Sequence, residues 1–347
     1  MIRTPAVEIA LVLTVSSLAG CGLDQAPTGE GFVLGDSAYE LTELVARLRE
    51  DEQSVSLFGI SGIARTPEGF LVTDTRNQRL VALGQDLRVL RTIGGPGEGP
   101  GEYGMPTKLV RTAEHIVVLD EGHGRASYLE PDGSFARSEP ISGNPTDMVL
   151  HPTLGLMANG GMIHGHQLDY RVDDRLVGFG PVPAELTMYD EGSLLLSNSR
   201  TAVTPDGSVH VLDAQAFVLV SYGPDGVLSH ILPLPEPMRR DLIEKRAARI
   251  EDFGGAGWVI GLSFFRQLTS MDDGRLLLLG RYDDWLGVVL DPQTRVATPI
   301  LIPGDGDWGW LEGASAGLFD DGRLILTHLT EVSIIETALV SRSSGDH

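Results

Sequence analysis

The chain has 347 residues with 26 Lys plus Arg against 48 Asp plus Glu, a formal net charge of −22 at pH 7. That acidity excludes a surface built to neutralise nucleic-acid phosphates. Hydrophobic residues at 42% and charged residues at 21% exclude wholesale disorder. A single Cys excludes an intramolecular disulfide framework and a Cys-based zinc cluster, while 43 Gly and 20 Pro point to a turn-rich β protein.

The first residues, MIRTPAVEIALVLTVSSLAGC, carry an early positive charge at Arg3, an apolar stretch from Ile9 to Val15 and small residues before Cys21, the layout of a secretory signal. The stretch is too short for a comfortable spanning helix. Leu18-Ala19-Gly20-Cys21 resembles the lipobox of bacterial lipoproteins, and it contains the chain's only Cys. The resemblance implies a signal peptide over 1–20 and a lipid on Cys21. It also implies a protein of the cell envelope, with Gly22 favouring the outer membrane in a two-membrane bacterium. Arg3 and Glu8 cancel, so the mature chain keeps the whole negative charge, and acyl chains rather than electrostatics would hold it to a membrane.

Residues 21–53 read as a tether, flexible from Gly22 to about Gly31, with a short helix near Leu41–Arg49. A strand-turn-strand unit then recurs six times: GIARTPEGFLVTD, KLVRTAEHIVVLD, MVLHPTLGLMANG, TAVTPDGSVHVLD, QLTSMDDGRLLLL and AGLFDDGRLILTH. Their turns fall at Gly69, Glu114, Gly155, Gly207, Gly274 and Gly322, at spacings of 45, 41, 52, 67 and 48 residues. A period near 40–50 residues is that of a four-stranded propeller blade. Second hairpins at Asp132-Gly133 and Asp225-Gly226 supply third and fourth strands. The expected fold is an all-β, six-bladed β-propeller over 54–342, with a disordered tail at 343–347. An early strand, Ser54–Phe58 or one near Phe32–Leu34, would complete the last blade.

Two repeats carry more than the period. Val72-Thr73-Asp74-Thr75-Arg76-Asn77-Gln78-Arg79-Leu80 resembles the V-x-D-x-x-N-x-R signature of NHL repeats, and Asp120 with Arg125 repeats its Asp-to-Arg spacing. Ile93–Tyr103, reading IGGPGEGPGEY, resembles the linker between blades of NHL-like six-bladed lipoproteins. Membership of that group implies the fold, but most of its members have no assigned activity.

Several constellations invite chemistry and are better read as structure. The Gly-rich run 94–101 lacks the Lys-Ser/Thr and the strand-to-helix setting of a phosphate loop. His164 and His166, with His151 and Asp169 nearby, offer no third converging metal ligand. Asp305, Asp307 and Glu312 resemble the start of a calcium loop without its full pattern, so no metal or cofactor is expected. Trp308 and Trp310 in the same Gly-rich segment are candidates for stacking on a flat ligand or glycan, or for packing between the last two blades. The insertion Pro235–Phe253 has helical spacing at Met238, Leu242, Ile243, Ala247 and Ile250. It reads as a surface helix or partial lid whose removal would leave the ring folded.

The strongest site argument aligns the repeats. The first strand of each blade lines the channel, which puts Ser61, Thr107 with Lys108, Asp147, Arg200, Arg266 and Ser315 near one mouth. Two Arg and a Lys in an acidic protein form a local anion site, or line the channel by pairing with carboxylates. The expected function is a lipid-anchored binding or scaffold module for a small ligand, glycan or protein, with no catalytic residue assigned. The alternative is a metal-dependent propeller hydrolase or lyase working at the channel.

Overall fold

The computed structural model describes residues 30–48, 55–112, 114–141, 147–159, 165–172, 175–186, 199–214, 216–252, 264–282, 285–303, 308, 311, 314–320, 322–328 and 330–342. The lipobox, His164, the calcium-like Asp305 and Asp307, Trp310 and the tail 343–347 lie outside the described residues.

Among the described residues the chain is nearly all β, with one α-helix. Four antiparallel four-stranded sheets follow in chain order. The first is β3(Ile63–Arg65), β4(Gly69–Asp74), β5(Arg79–Gly84) and β6(Val89–Ile93). The second is β7(Pro106–Arg111), β8(Ile116–Asp120), β9(Arg125–Leu129) and β10(Phe135–Pro140). The third is β11(Met148–His151), β12(Gly155–Asn159), β13(His166–Val172) and β14(Arg175–Pro181), and the fourth is β15(Arg200–Val203), β16(Val209–Asp213), β17(Val218–Tyr222) and β18(Leu228–Pro233). A nine-stranded sheet holds the rest: β19(Gln267–Ser270), β20(Leu276–Tyr282), β21(Trp285–Asp291), β22(Val296–Leu301), β23(Ala316–Asp320), β24(Arg323–Thr327), β25(Val332–Ser341) and the N-terminal β1(Val33–Leu34) and β2(Ser37–Leu48). It has two antiparallel halves, β19–β22 and β23-β24-β25-β2, joined by a short parallel pairing of Tyr39 and Glu40 with Ile300 and Leu301.

All six strand-turn-strand units of the sequence are hairpins, β3–β4, β7–β8, β11–β12, β15–β16, β19–β20 and β23–β24. In the fourth, Gly207 takes φ 87°, a conformation that favours Gly, and its N–H donates to the Thr204 carbonyl at 2.8 Å. Asp206 caps the same turn. It accepts from the Thr204 hydroxyl and from the Ser208 N–H, and these bonds hold its carboxyl below the usual range.

The inner strands of the first, second and fourth sheets are buried on both faces over most of their length, as in β4, β8 and β17. Hence Ile116-Val117-Val118-Leu119 and Leu276–Leu279 are continuous apolar runs rather than alternating ones. The outermost strands β6 and β10 alternate or face solvent. Buried side chains gather where neighbouring sheets face each other. Ala64, Leu71, Leu109 and Val118 join the first two sheets, and Val117, Leu119, Met148 and Ala158 the second and third. Val149, Met157, Val211 and Val220 join the third and fourth.

Two expectations are corrected here. The short helix expected near Leu41–Arg49 is not formed by its described residues: Ser37–Leu48 is a twelve-residue strand paired antiparallel to β25 from Ser37↔Ser341 to Leu48↔Val332. Leu41, Leu44, Val45 and Leu48 carry a helical period because register shifts between Leu41/Glu43 and Leu44/Ala46 break the strand's alternation. The outermost position of the last half-sheet therefore belongs to 37–48, with β1 parallel to β22. Residues 55–58 form no strand.

The insertion is a helix, α1(Glu236–Asp252), as its spacing predicts. It is not merely a solvated ornament. Met238 and Leu242 are each 1% exposed and pack with Leu219, Leu232, Leu276 and Val288 between the fourth sheet and β19–β22, while the Tyr282 hydroxyl donates to the Pro237 carbonyl at 2.8 Å. Arg239–Glu236 and Lys245–Asp241 ion pairs lie on the helix itself. Among the described residues no helix is long and apolar enough to cross a membrane.

Candidate functional site at the central cavity

The first strands of the strand groups touch in cyclic order: β3 with β7, β7 with β11, β11 with β15, β15 with β19, β19 with β23, and β23 with β3. Hydrogen bonds close the same circuit. The Ser61 hydroxyl donates to the Thr107 carbonyl at 3.0 Å, Lys108 Nζ bonds Asp147 Oδ1, and the Thr201 N–H donates to Asp147 Oδ2 at 2.7 Å. Arg200 Nε donates to the Arg266 carbonyl at 2.8 Å, the Gly317 N–H to Gln267 Oε1 at 2.6 Å, and the Ser315 hydroxyl to the Ile60 carbonyl at 2.6 Å. These groups surround one cavity of about 270 Å³, lined by Ser61, Thr107, Lys108, Asp147, Arg200, Arg266 and Ser315 together with Glu121 and Gln267.

The Asp-x-x-Asn-x-Arg segment positions this ring without entering it. Asp74 is fully buried; it accepts from the Phe58 N–H at 2.7 Å, from Asn77 Nδ2 and from Arg79 Nε at 2.8 Å, so it pins the chain entering β3. Asp120 does the same for the entry to β7, accepting from the Gly104 and Met105 N–H groups and from His123 Nδ1, with Arg125 Nε at 3.5 Å. A short 3-10 turn follows each Asp and ends in a left-handed residue, Gln78 or Gly124. In the fourth sheet Asp213 persists, accepting from the Ala216 N–H. The Gly-rich linker is a crossover: Gly94 has φ 73°, and a Cβ there would lie 2.4 Å from the Gly101 carbonyl. Arg125 donates to the Glu102 carbonyl at 2.6 Å across the same loop.

Three cationic side chains and two carboxylates face the cavity. Asp147, 2% exposed, is saturated by Lys108 and by the N–H groups of Met148 and Thr201. Lys108 and Asp147 are therefore brought together as an ion pair that ties the second sheet to the third. Arg200 is held by the Arg266 and Ser199 carbonyls. Burial, and then the charge of Arg266, pull its pKa below the ordinary guanidinium value, opposed by Asp147 and Glu121. The Arg266 side chain is exposed and has no ion pair or hydrogen bond among the described residues. Glu121 accepts from the Thr107 hydroxyl at 2.7 Å through Oε1. Burial pushes its carboxyl up, with Arg200 and the Thr107 bond opposing and Asp147 adding to the rise.

Alignment of first strands misses Glu121 because it lies in the second-to-third-strand connection. The available signal was its place directly after Asp120, where Thr75 follows Asp74; the Thr75 hydroxyl reaches the Pro106 carbonyl at 2.6 Å. Trp308 does not line the cavity. It packs against the core of Leu41, Leu277, Ile300 and Leu311 between the two halves of the nine-stranded sheet, the packing alternative of the sequence reading. His151 is buried beside Phe179 and accepts from the Thr153 and Leu154 N–H groups, away from any shared metal site. Among the described residues no group of three His, Cys, Asp or Glu side chains is placed to hold a metal ion.

No protein-family model matches the chain. Its architecture is similar to solved structures at low identity. These include virginiamycin B lyase from Staphylococcus aureus, 12% identical with a TM-score of 0.53 over 86% of this chain and 99% of that one. A gluconolactonase from Xanthomonas campestris is 14% identical with a TM-score of 0.51 over 90% and 99%. A protein of unknown function from Bacteroides thetaiotaomicron is 12% identical with a TM-score of 0.57 over 87% and 76%. At such identities the likeness is one of fold, and with the sheets and their cyclic first strands it identifies the chain as a β-propeller.

Proposed function

We propose that this chain is a lipid-anchored, six-bladed propeller of the NHL-like kind, acting in the cell envelope as a module that binds a small anion at its central cavity. The observation that carries the reading is Arg266, an exposed guanidinium on the cavity wall with no partner among the described residues, backed by a second guanidinium, Arg200, in a protein of net charge −22. A guanidinium fork is matched to carboxylate and phosphate. The cyclic contacts of the first strands support six blades, with the nine-stranded sheet counted as two joined through β2. The Asp74 and Asp120 networks support the NHL-like resemblance. The lipobox around Cys21 supports the anchor.

The metal-dependent hydrolase or lyase alternative has less support. It needs carboxylate, Asn or His ligands converging at the channel, and of the two carboxylates there Asp147 is already saturated by donors. Calorimetric titration of the full chain in detergent with butyrate and with inorganic phosphate tests the reading. Binding is expected in the wild type and lost at least tenfold in Arg266→Gln, with the melting temperature nearly unchanged because an exposed charge contributes little to folding. Binding that survives the substitution would mean the anion sits elsewhere.

A further inference from the structure

The two groups left open at the cavity have opposite charge and stand on opposite walls. Arg266 precedes β19 and Glu121 follows β8 beside β7; in the cyclic order of first strands, β7 and β19 are three places apart. Glu121 uses Oε1 on the Thr107 hydroxyl, and its Oε2 has no hydrogen-bond partner among the described residues. No ion pair within 4.0 Å joins Glu121 to either arginine among the described residues; Glu121 and Arg200 act on each other only through the field across the cavity. Elsewhere on the wall Lys108 and Asp147 neutralise each other, Arg200 is held by the Arg266 and Ser199 carbonyls, and the neutral polar groups are bound as well, the Ser61 and Ser315 hydroxyls to the carbonyls of Thr107 and Ile60 and Gln267 to the Gly317 N–H.

We infer that the cavity takes a small zwitterion, its carboxylate on Arg266 and its ammonium on the Oε2 edge of Glu121, with a spacer between the two charges. This rests on the anion-binding reading above. A plain anion satisfies only the guanidinium wall and leaves a half-buried carboxylate facing it. A ligand ammonium supplies the missing counter-charge, which a hydroxyl cannot. Burial already penalises the charge on Glu121, so a cation delivered there gains more than it would at an exposed carboxylate. The separation of the walls sets the spacer: α-amino acids, whose ammonium and carboxylate are borne by a single carbon, engage one wall only.

Calorimetry on the full chain in detergent compares γ-aminobutyrate with butyrate and γ-hydroxybutyrate, and glycine with acetate. In the wild type γ-aminobutyrate is expected to bind about tenfold or more tighter than butyrate, while glycine gains nothing over acetate. Glu121→Gln, whose amide oxygen still accepts from Thr107, should bring γ-aminobutyrate down to the level of butyrate, and Arg266→Gln should remove both. Melting curves accompany each variant, and Glu121→Ala replaces Glu121→Gln if the latter does not fold. Equal binding of γ-aminobutyrate and butyrate, a preference that survives loss of Glu121, or equal binding of γ-hydroxybutyrate would each overturn the inference. If butyrate binds through Arg266 without an amine preference, the anion site stands and only the zwitterion falls; if no anion binds, both fall.

Discussion

At the residue scale, the buried polar groups are mostly fasteners. Asp74 and Asp120 accept from backbone N–H groups of the segment entering a first strand, and Asp147 from N–H groups within β11 and β15, so their charges serve the ring. Two buried imidazoles carry a measurable consequence. Burial pulls the pKa values of His210 and His328 down to about 4; His210 also bonds the Ser221 hydroxyl at 2.9 Å. Between their unfolded value near 6.5 and about 4, the unfolded chain takes up protons that the native state refuses, so stability falls as pH drops through that window. The loss approaches about 3 kcal/mol for each histidine. Glu121, with its carboxyl pushed up, contributes in the opposite direction. Urea unfolding of His210→Gln/His328→Gln at pH 6.5 and pH 4.5 should show a much smaller drop than wild type; an equal drop would locate the acid sensitivity elsewhere. None of these burials could be read from the sequence, because each His sits in a strand or turn whose neighbours come from other strands.

At the scale of elements, the hairpins were legible and the closing strand was not. Turn chemistry at Asp206-Gly207 or Asp132-Gly133 is local, so Gly and Asp announce it directly. β2 is decided by partners some 290 residues away, Ser341 to Val332, and its register shifts hide the strand period. Helix α1 was legible as a helix, yet its burial depends on the groove between the fourth sheet and β19–β22. Because Met238 and Leu242 fill that groove, Met238→Ala and Leu242→Ala should each cost about 2–5 kcal/mol in chemical denaturation, the range for truncating a buried Met or Leu. Values below about 1 kcal/mol would restore the view of α1 as a dispensable surface insertion. The expectation that the ring tolerates its deletion is replaced by one of substantial destabilisation.

At the scale of the whole molecule, the chain closes on itself through its N-terminal segment. Phe32 is buried between the fourth sheet and β19–β22, its N–H donates to the Pro233 carbonyl at 2.9 Å, and β2 joins the two halves of the last sheet. Cys21 stands twelve positions before Val33, the first residue of β1, so a lipid on it would lie within about 40 Å of that strand even with the chain fully extended. A lipid there would hold the propeller rim close to the membrane. Cys21→Ser should lose metabolic labelling by palmitate and move from the membrane to the soluble or uncleaved fraction after a high-salt wash, since an acidic surface offers no electrostatic retention. Labelling that persists without Cys21 would refute the anchor.

What could be read from residues alone was everything local or periodic: the hairpin turns, the repeat length, the aspartate of each V-x-D segment and the equivalence of Arg200 and Arg266 in successive repeats. A fixed period places equivalent residues around one axis, which is why those positions meet at a single cavity. Which of them stay open was settled by non-local geometry. Asp147 looks like a ligand until Lys108 and the Thr201 N–H reach it from neighbouring sheets, and Glu121 looks like a loop residue until its turn swings it over the channel. Hydrogen-bond saturation and desolvation are properties of surroundings assembled from distant segments, and only the folded ring brings those segments together.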